Sequence, residues 1–302
     1  MTPDTPKFRS LLDVTKRFPD EQACRDYLAK ARWGTKIECP HCHSSEKIYT
    51  FQSGKLYKCG SCQKQFTVKV GTIFEDSALP LQKWFMAIYL ITAHKKGISS
   101  LQLHRDIGVT QKTAWFMLHR IRYAVRTDSV NRSPLSGTIE ADETYIGGKH
   151  KGLVGRTTAK KAVVMGIVQR GGRVIAQQVT KASAAQLQPI IRRNTKKGST
   201  VVTDDWGAYS GLSHTFNHQI INHSQKEYVR GDVHTNTVEG FWALLKRGIH
   251  GIYHHVSKKH LDKYVDEFEF RWNSRKAKDP VRFSFMLNDC EGRLTYKGLI
   301  QK

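Results

Sequence analysis

The sequence predicts a multidomain chain in which a cysteine-rich segment and a helical module precede a mixed α/β domain. Three observations favour this order. Two CxxC pairs lie within 36–70, helically spaced apolar residues run through 78–127, and strand and helix patterns fill 136–302. A chain of 302 residues also exceeds the length that usually builds one compact core. Residues 1–35 are assigned to an N-terminal helical leader.

The composition is strongly basic. Lys and Arg number 49 against 26 Asp and Glu, which gives a formal charge of +23 and a pI near 9.9. This excess favours a polyanionic partner, the alternative being a merely basic cytosolic protein. No stretch approaches the roughly 18 apolar residues that span a bilayer, and the N-terminus lacks the apolar segment of a signal peptide. We therefore expect a cytoplasmic protein with reduced cysteines and no membrane partner.

Two cysteine pairs predict a metal site. Cys39 and Cys42 form CPHC, Cys59 and Cys62 form CGSC, and 16 residues separate the pairs. This spacing is typical of a zinc ribbon, in which four thiolates bind one tetrahedral zinc ion. Redox-active pairs are the alternative, but the intervening segment KIYTFQSGKLYKC reads as a hairpin and disfavours them. We expect the histidines within and beside CPHC to be bystanders.

Aromatic and basic residues alternate through the ribbon, from Tyr49 to Phe66. They indicate a DNA-contacting face, although part of the set must form the small core of the ribbon. A protein–protein contact remains the alternative.

The helical module is predicted to contain three helices, the last being QKTAWFMLHRIRYAV with Thr110 as its cap. Its apolar face predicts burial of Ala114, Met117, Leu118, Ile121 and Val125. Its other face predicts outward side chains at Gln111, Lys112, Trp115 and His119. Such a module is typical of a helix-turn-helix, whose last helix enters the major groove by its N-terminal residues, here Gln111 and Lys112. Many three-helix bundles share the pattern.

A polar segment at 127–137 predicts a linker and a domain boundary. After it, the patterns predict strands at 138–146, 161–170, 173–180, 200–204 and 218–223. They also predict a helix in AAQLQPIIRRN and two more at about 235–247 and 257–273. Strands followed by an alternating strand and helix half favour a mixed α/β sheet.

Three carboxylates within this domain predict a divalent-cation site. Asp142 lies near the end of the strand in TIEADETYIGG, and Asp204 ends the strand in STVVTDDW. Glu239 lies on the helix in HTNTVEGFWALLKRGI, on one face with Asn236 and Lys246. Two strand-borne acids and one helix-borne acid can hold two cations about 3.5–4 Å apart, which stabilises the attacking and leaving oxygens of an in-line displacement.

The spacing of the acids resembles that of DDE transposases of bacterial insertion sequences, in the group with an N-terminal zinc ribbon and an Asn just before the Glu. There are 61 residues between Asp142 and Asp204 and 34 between Asp204 and Glu239. The resemblance covers about residues 35 to 275 and is carried by EADETYIGG, TDDWGAY and HTNTVEGFWALLKRGIHGIYHH. It implies a ribonuclease-H-like domain with the two aspartates on adjacent central strands.

Magnesium is the expected cation, with manganese as a substitute, because carboxylates and phosphates are its preferred partners. Lys246 is expected to contact a phosphate, and Asn236 to orient a water or phosphate. Glu140 shares a strand face with Asp142 and is a candidate auxiliary ligand. The alternative to Asp204 is Asp205, which is expected to point the opposite way. A histidine-rich stretch at 250–260 is interpreted as a basic surface, with zinc as the alternative.

The segment GGKHKGLVGRTTAKK is glycine-rich and basic, with no apolar period. We expect a loop that follows the DNA backbone through Lys149, Lys151, Lys160 and Lys161; simple disorder is the alternative.

These features favour a DNA transposase that binds the terminal inverted repeats of an insertion sequence and joins its ends to target DNA. Because two ends must be held together, a homodimer or larger homo-oligomer is expected, associated with the bacterial nucleoid. A catalytically silent, element-derived DNA-binding protein is one alternative. A structure-specific nuclease of the same fold is the other, and strand transfer would distinguish it.

Overall fold

The computed structural model describes residues 7–126, 133–147 and 161–301, which form two compact units. The first unit joins the chain up to residue 130 to the segment 276–302, and the second covers 131–275. Most of the predicted linker lies outside the described residues. Within the described ranges, no helix has the length and apolar character needed to cross a membrane.

The helices are, in chain order, α1 Leu11–Arg17, α2 Glu21–Trp33, α3 Leu81–Ala93, α4 Ser100–Ile107, α5 Gln111–Arg126, α6 Ala184–Asn194, α7 Asn236–Gly248, α8 Leu261–Asn273, α9 Asp279–Asn288 and α10 Tyr296–Ile300. The strands are β1 Ile48–Phe51, β2 Leu56–Cys59, β3 Gln65–Phe66, β4 Thr138–Ile146, β5 Ala162–Gln169, β6 Val174–Val179, β7 Thr200–Asp204 and β8 Asn217–Ile221.

An aromatic cluster forms the core of the first unit. Phe283 of α9 lies with its ring centroid 5.1 Å from that of Phe8 and 5.7 Å from that of Phe85, and Phe18 lies 4.8 Å from Phe85. All four rings are buried. The sequence prediction placed residues up to 302 in the catalytic domain. The structure instead places the segment after residue 275 in the first unit, because burial of Phe283 ties that segment to the N-terminal helices.

Three helices, α3 to α5, form the predicted helical module. The Ser99 hydroxyl accepts from the Gln102 N–H at the start of α4, and Gly108 ends that helix at a φ of +61°. The Thr110 hydroxyl caps α5 by accepting from the Thr113 N–H at 3.2 Å. The predicted apolar face of α5 is buried throughout. His119 was predicted to point outward and does not: it is wholly buried.

A five-stranded mixed sheet forms the centre of the second unit, in the order β6-β5-β4-β7-β8. β4 is central; it runs antiparallel to β5 and parallel to β7. One face packs on α6, and the opposite face packs on α7 and α8. The predicted mixed α/β architecture is therefore confirmed.

Alternation along β4 decides which residues meet α7. Ile139 and Ala141 belong to the buried cluster on the α6 face, whereas Ile146 belongs to the cluster on the α7 face. Residues two apart share a face of a strand, so Glu140 and Asp142 lie on the α7 face with Ile146.

Candidate active site and zinc site

The four cysteines predicted to bind zinc lie together. Their Sγ atoms are all within 4.8 Å of one another, with 3.7 Å between Cys39 and Cys62 and 3.6 Å between Cys42 and Cys59. Four sulfurs around a tetrahedral zinc, each at about 2.3 Å from it, would be about 3.8 Å apart. The donor set and its spacing therefore fit a structural zinc ion.

The ribbon backbone supports this arrangement. β1 and β2 pair as the predicted hairpin, with Ser53 and Gly54 at positive φ in its turn. A hydrogen bond from the Cys62 backbone N–H is the main cause that lowers the pKa of Cys59 to about 6. Such N–H donors favour the thiolate, which is the form that binds metal. His43 pairs with Glu38 at 2.7 Å, outside the sulfur cluster.

Asp142 and Asp204 lie on neighbouring parallel strands. The register pairs Thr138 with Thr200 and Glu140 with Val202. Continuing that register by two residues sets Asp142, in the middle of β4, beside Asp204 at the last residue of β7. Paired residues of neighbouring strands face the same side of a sheet, so both carboxylates lie on the α7 face.

Asp142 is held by a tryptophan of α7. The Trp242 Nε1–H donates to Asp142 Oδ2 at 2.8 Å, and the indole is 4% exposed. Burial raises the pKa of Asp142 to about 7, and the charges of Glu143 and Asp204 act in the same direction. The hydrogen bond from Trp242 opposes this rise. A cation bound here would favour the ionised carboxylate.

Glu239 lies on the first turn of α7, three residues before Trp242, and it is exposed. Its Oε1 accepts from the Thr235 hydroxyl at 3.0 Å. Within the part of the chain that the structure describes, only the four cysteines form a group of three or more ligand atoms lying within 4.8 Å of one another. Glu239 is therefore on the helix beside Asp142, but the three predicted carboxylates do not form so tight a group.

Glu140 binds the N-terminus of α7. This wholly buried carboxylate accepts from the backbone N–H groups of Thr237 at 2.7 Å and Val238 at 3.0 Å. Arg170 donates to it at 2.6 Å and also donates to the carbonyl of His234, in the segment that leads into the helix. An anion stabilises the N-terminal end of a helix. Glu140 therefore fixes the helix that carries Glu239. This role differs from that of an auxiliary metal ligand, which its position on β4 suggested.

The acids that flank the aspartates have partners of their own. Glu143 lies on the opposite face of β4, where it accepts from the hydroxyl of the buried Tyr209 at 2.5 Å. Asp205 is exposed and accepts from the Ser224 hydroxyl at 2.6 Å. Asp204 Oδ1 accepts from the Trp206 backbone N–H at 3.1 Å.

Four of the other predicted site residues are exposed on helices, and a fifth lies just before a strand. Asn236 begins α7, and Lys246 lies two turns after Glu239; both are exposed. Gln111 and Lys112 are exposed at the start of α5, with Lys112 Nζ 5.0 Å from the Tyr296 ring centroid. Lys161 is partly exposed just before β5. Lys149, Lys151 and Lys160 lie outside the described residues.

Comparison with known proteins identifies the family. An ISXO2-like transposase domain model matches residues 134–273, and a transposase zinc-ribbon model matches residues 19–65. The chain is also 30% identical, over 279 residues, to a Halobacterium salinarum protein described as an uncharacterized protein in transposable element ISH50. That match covers 85% of this chain and 92% of its relative. The chain belongs to the ISXO2-like transposase family.

The predicted family resemblance is thereby confirmed for this ISXO2-like transposase. Solved structures give weaker likenesses. A simian T-cell lymphotropic virus intasome with a PP2A regulatory subunit matches at 15% identity and a TM-score of 0.30, over 60% of this chain and 63% of that one. The Mos1 strand transfer complex matches at 13% identity and a TM-score of 0.28, over 72% and 77%. At these scores, the likenesses add nothing to the description of the fold.

Proposed function

We propose that this ISXO2-like transposase binds the terminal inverted repeats of an insertion sequence, cuts DNA at the element ends and joins them to target DNA. The register of β4 and β7 supports this most directly, because it sets Asp142 beside Asp204 on the face that α7 covers. α7 also carries Glu239, three residues before the Trp242 that bonds to Asp142. The family and the basic composition agree with a DNA substrate.

The three carboxylates would hold magnesium, or manganese in its place. The site chemistry fits, because oxygen donors from carboxylates are the preferred partners of both ions. When bound, a pair of such cations stabilises the attacking and leaving oxygens of an in-line displacement. Asp142 and Asp204 would provide a fixed side of the site on the sheet, and Glu239 would complete it from the helix.

Cutting and joining are the same displacement with different nucleophiles in this proposal. Water first attacks the phosphodiester at the element end, breaking the P–O bond and leaving a 3′-hydroxyl. That hydroxyl then attacks a phosphodiester of target DNA and displaces a new 3′-hydroxyl there. Asn236 would orient a water or phosphate, and Lys246 would contact a phosphate from its exposed position on α7.

End recognition is assigned to the first unit. The three-helix module α3–α5 would act as a helix-turn-helix, with Gln111 and Lys112 at the exposed start of α5 meeting the DNA. The zinc ribbon of the first unit would add phosphate contacts, and so would the basic segment of the second unit that includes Lys161. Because one reaction must bring two element ends together, the active species is proposed to be a homodimer or a larger homo-oligomer.

The test is strand transfer with DNA that carries the inverted repeats of the element. Asp142→Asn, Asp204→Asn and Glu239→Gln should each lower cleavage and joining by about a thousandfold or more, since each removes a metal ligand. Binding to the repeats should be retained. Asp205→Ala is the matched control and should keep substantial activity.

Four results would redirect the assignment. Full activity of Glu239→Gln would rule out the triad mechanism, and loss of activity in Asp205→Ala with retention in Asp204→Asn would exchange their roles. Cleavage without joining by the unaltered protein would indicate a nuclease, and repeat binding with neither reaction would indicate a silent DNA-binding protein.

A further inference from the structure

Trp242 is the only tryptophan in the described residues whose indole N–H is seen to bond to one of the three predicted metal-binding carboxylates. Its Nε1 lies 2.8 Å from Asp142 Oδ2. The ring is 4% exposed and belongs to the buried cluster between the sheet and α7. The donor is therefore fixed by packing on all sides.

A glycine makes room for this ring. Gly166 of β5 is the residue paired with Asp142 across the β4–β5 ladder. A Cβ built at Gly166 would lie 2.6 Å from Trp242 Cη2 and 2.7 Å from its Cζ2, distances at which the ring would have to move. Gly166 and Trp242 thus act together: the first leaves a gap on the sheet, and the second fills it beside Asp142.

We propose that Trp242 is a positioning residue that holds the Asp142 carboxylate in the orientation required to bind a divalent cation. This inference rests on the proposed metal-dependent function. Glu143 follows Asp142 on β4 and Asp204 lies beside it on β7, so like charges surround the Asp142 carboxylate and repel it. A hydrogen bond to an ionised group is stronger than one between neutral groups, so a single buried donor is enough to select one rotamer.

A neutral donor suits this position better than a cationic one. An Arg or Lys beside Asp142 would also orient it, but its positive charge would repel the incoming metal ion. The indole N–H orients the carboxylate without adding charge. The bond also joins α7 to β4, three residues from Glu239, so the same contact sets the distance between the strand-borne and helix-borne acids.

The test compares two tryptophans of one core. Trp242→Phe keeps an aromatic ring and removes the donor. Trp272→Phe is the matched control: Trp272 packs against the same cluster, with its ring centroid 5.8 Å from that of Phe241. Its buried Nε1 has no hydrogen-bond partner among the described residues, so its replacement removes no such bond.

Two readouts separate positioning from packing. The first is Mn²⁺ affinity of the full chain without DNA, measured by isothermal titration calorimetry. The second is the Mg²⁺ concentration that gives half-maximal strand transfer. Trp242→Phe should weaken Mn²⁺ binding and raise the Mg²⁺ requirement by about tenfold, because a hydrogen bond to a charged group is lost. Trp272→Phe shows how far a change in packing alone alters repeat binding and the melting temperature.

A shape-preserving replacement covers the case in which Trp242→Phe does not fold. Benzothienylalanine at position 242 retains the bicyclic ring and lacks the N–H, and it should give the same tenfold shift. Gly166→Ala should give a similar or larger shift with the indole retained but displaced.

Unchanged Mn²⁺ affinity and Mg²⁺ requirement in Trp242→Phe or in the benzothienylalanine protein would overturn the proposal, as would equal shifts in the Trp272 control. If the unaltered protein neither binds Mn²⁺ nor transfers strands, the proposed function itself fails.

Discussion

The two predicted metal sites of this protein differ in how close together their candidate ligand atoms lie. The four cysteine sulfurs are already within 4.8 Å of one another. The three carboxylates lie on the predicted strands and helix, yet among the described residues they do not form such a group. The four cysteines therefore lie together in the fold, whereas the three carboxylates are spread over two strands and a helix.

The difference follows from sequence separation and charge. The two cysteines of each pair are separated by two residues within a tight turn. The β1–β2 hairpin brings the two turns together. Asp142, Asp204 and Glu239 come from two strands and a helix, with 61 and 34 residues between them. Their like charges repel one another, which disfavours close contact among the three carboxylates. Glu239 is exposed on α7.

The largest effect is expected from removing a zinc ligand. Cys39→Ser should lose zinc and unfold the ribbon, because structural zinc contributes about 10–16 kcal/mol of apparent binding free energy in small zinc domains. The second unit should remain folded. Elemental analysis and limited proteolysis measure both outcomes, and His41→Ala, an exposed neighbour, is the control.

Full zinc content in the Cys39→Ser protein would show that the cysteine cluster is not the zinc site. The comparison of the two metal sites would then lose its zinc side.

A smaller effect is expected from the residue that fixes α7. Glu140→Ala leaves Arg170 and two backbone N–H groups without their buried acceptor, so the second unit should lose about 3–5 kcal/mol of unfolding free energy. Chemical denaturation measures this loss. Replacing both members of the pair, Glu140→Leu with Arg170→Met, should be less damaging than Glu140→Ala alone.

A loss below about 1 kcal/mol, the range of an exposed ion pair, would mean that Glu140 does not hold the helix. The position of Glu239 would then need another explanation.

The smallest effect is expected at Lys246. Lys246→Ala should lower strand transfer by about ten- to a hundredfold, or roughly 1.4–2.7 kcal/mol, because it would contact phosphate without holding metal. Arg247→Ala, at the next exposed position of α7, is the control and should be close to unaltered protein. A loss at Lys246 as large as that of Glu239→Gln would place the lysine among the essential groups.

Much of the second unit was predictable from local patterns. β4, α6 and β7 begin and end within a residue or two of their predicted bounds, since each has a clear strand or helix period. The four cysteines were predictable because their spacing is local. The three acids needed the family resemblance as well, since one acid in isolation has no distinguishing period.

Other features depend on contacts between distant residues. Phe283 packs against Phe8, 275 positions away, and no local pattern signals this. The position of His119 on the helix predicted an outward side chain, yet that side chain is wholly buried. Trp242 fits the helical pattern of α7 as one more large apolar residue, and no local pattern signals its polar contact. Its polar atom has a role because Gly166, on a different strand, admits the ring beside Asp142.

The most direct test of the account is anomalous diffraction from Mn²⁺ bound to the full protein with its terminal repeat DNA. The account predicts two manganese peaks about 3.5–4 Å apart, bound by carboxylate oxygens of Asp142, Asp204 and Glu239, with Glu239 moved toward the sheet. Peaks at the histidines near residue 254, or no peak beside Asp142 and Asp204 in a complex that still transfers strands, would contradict it.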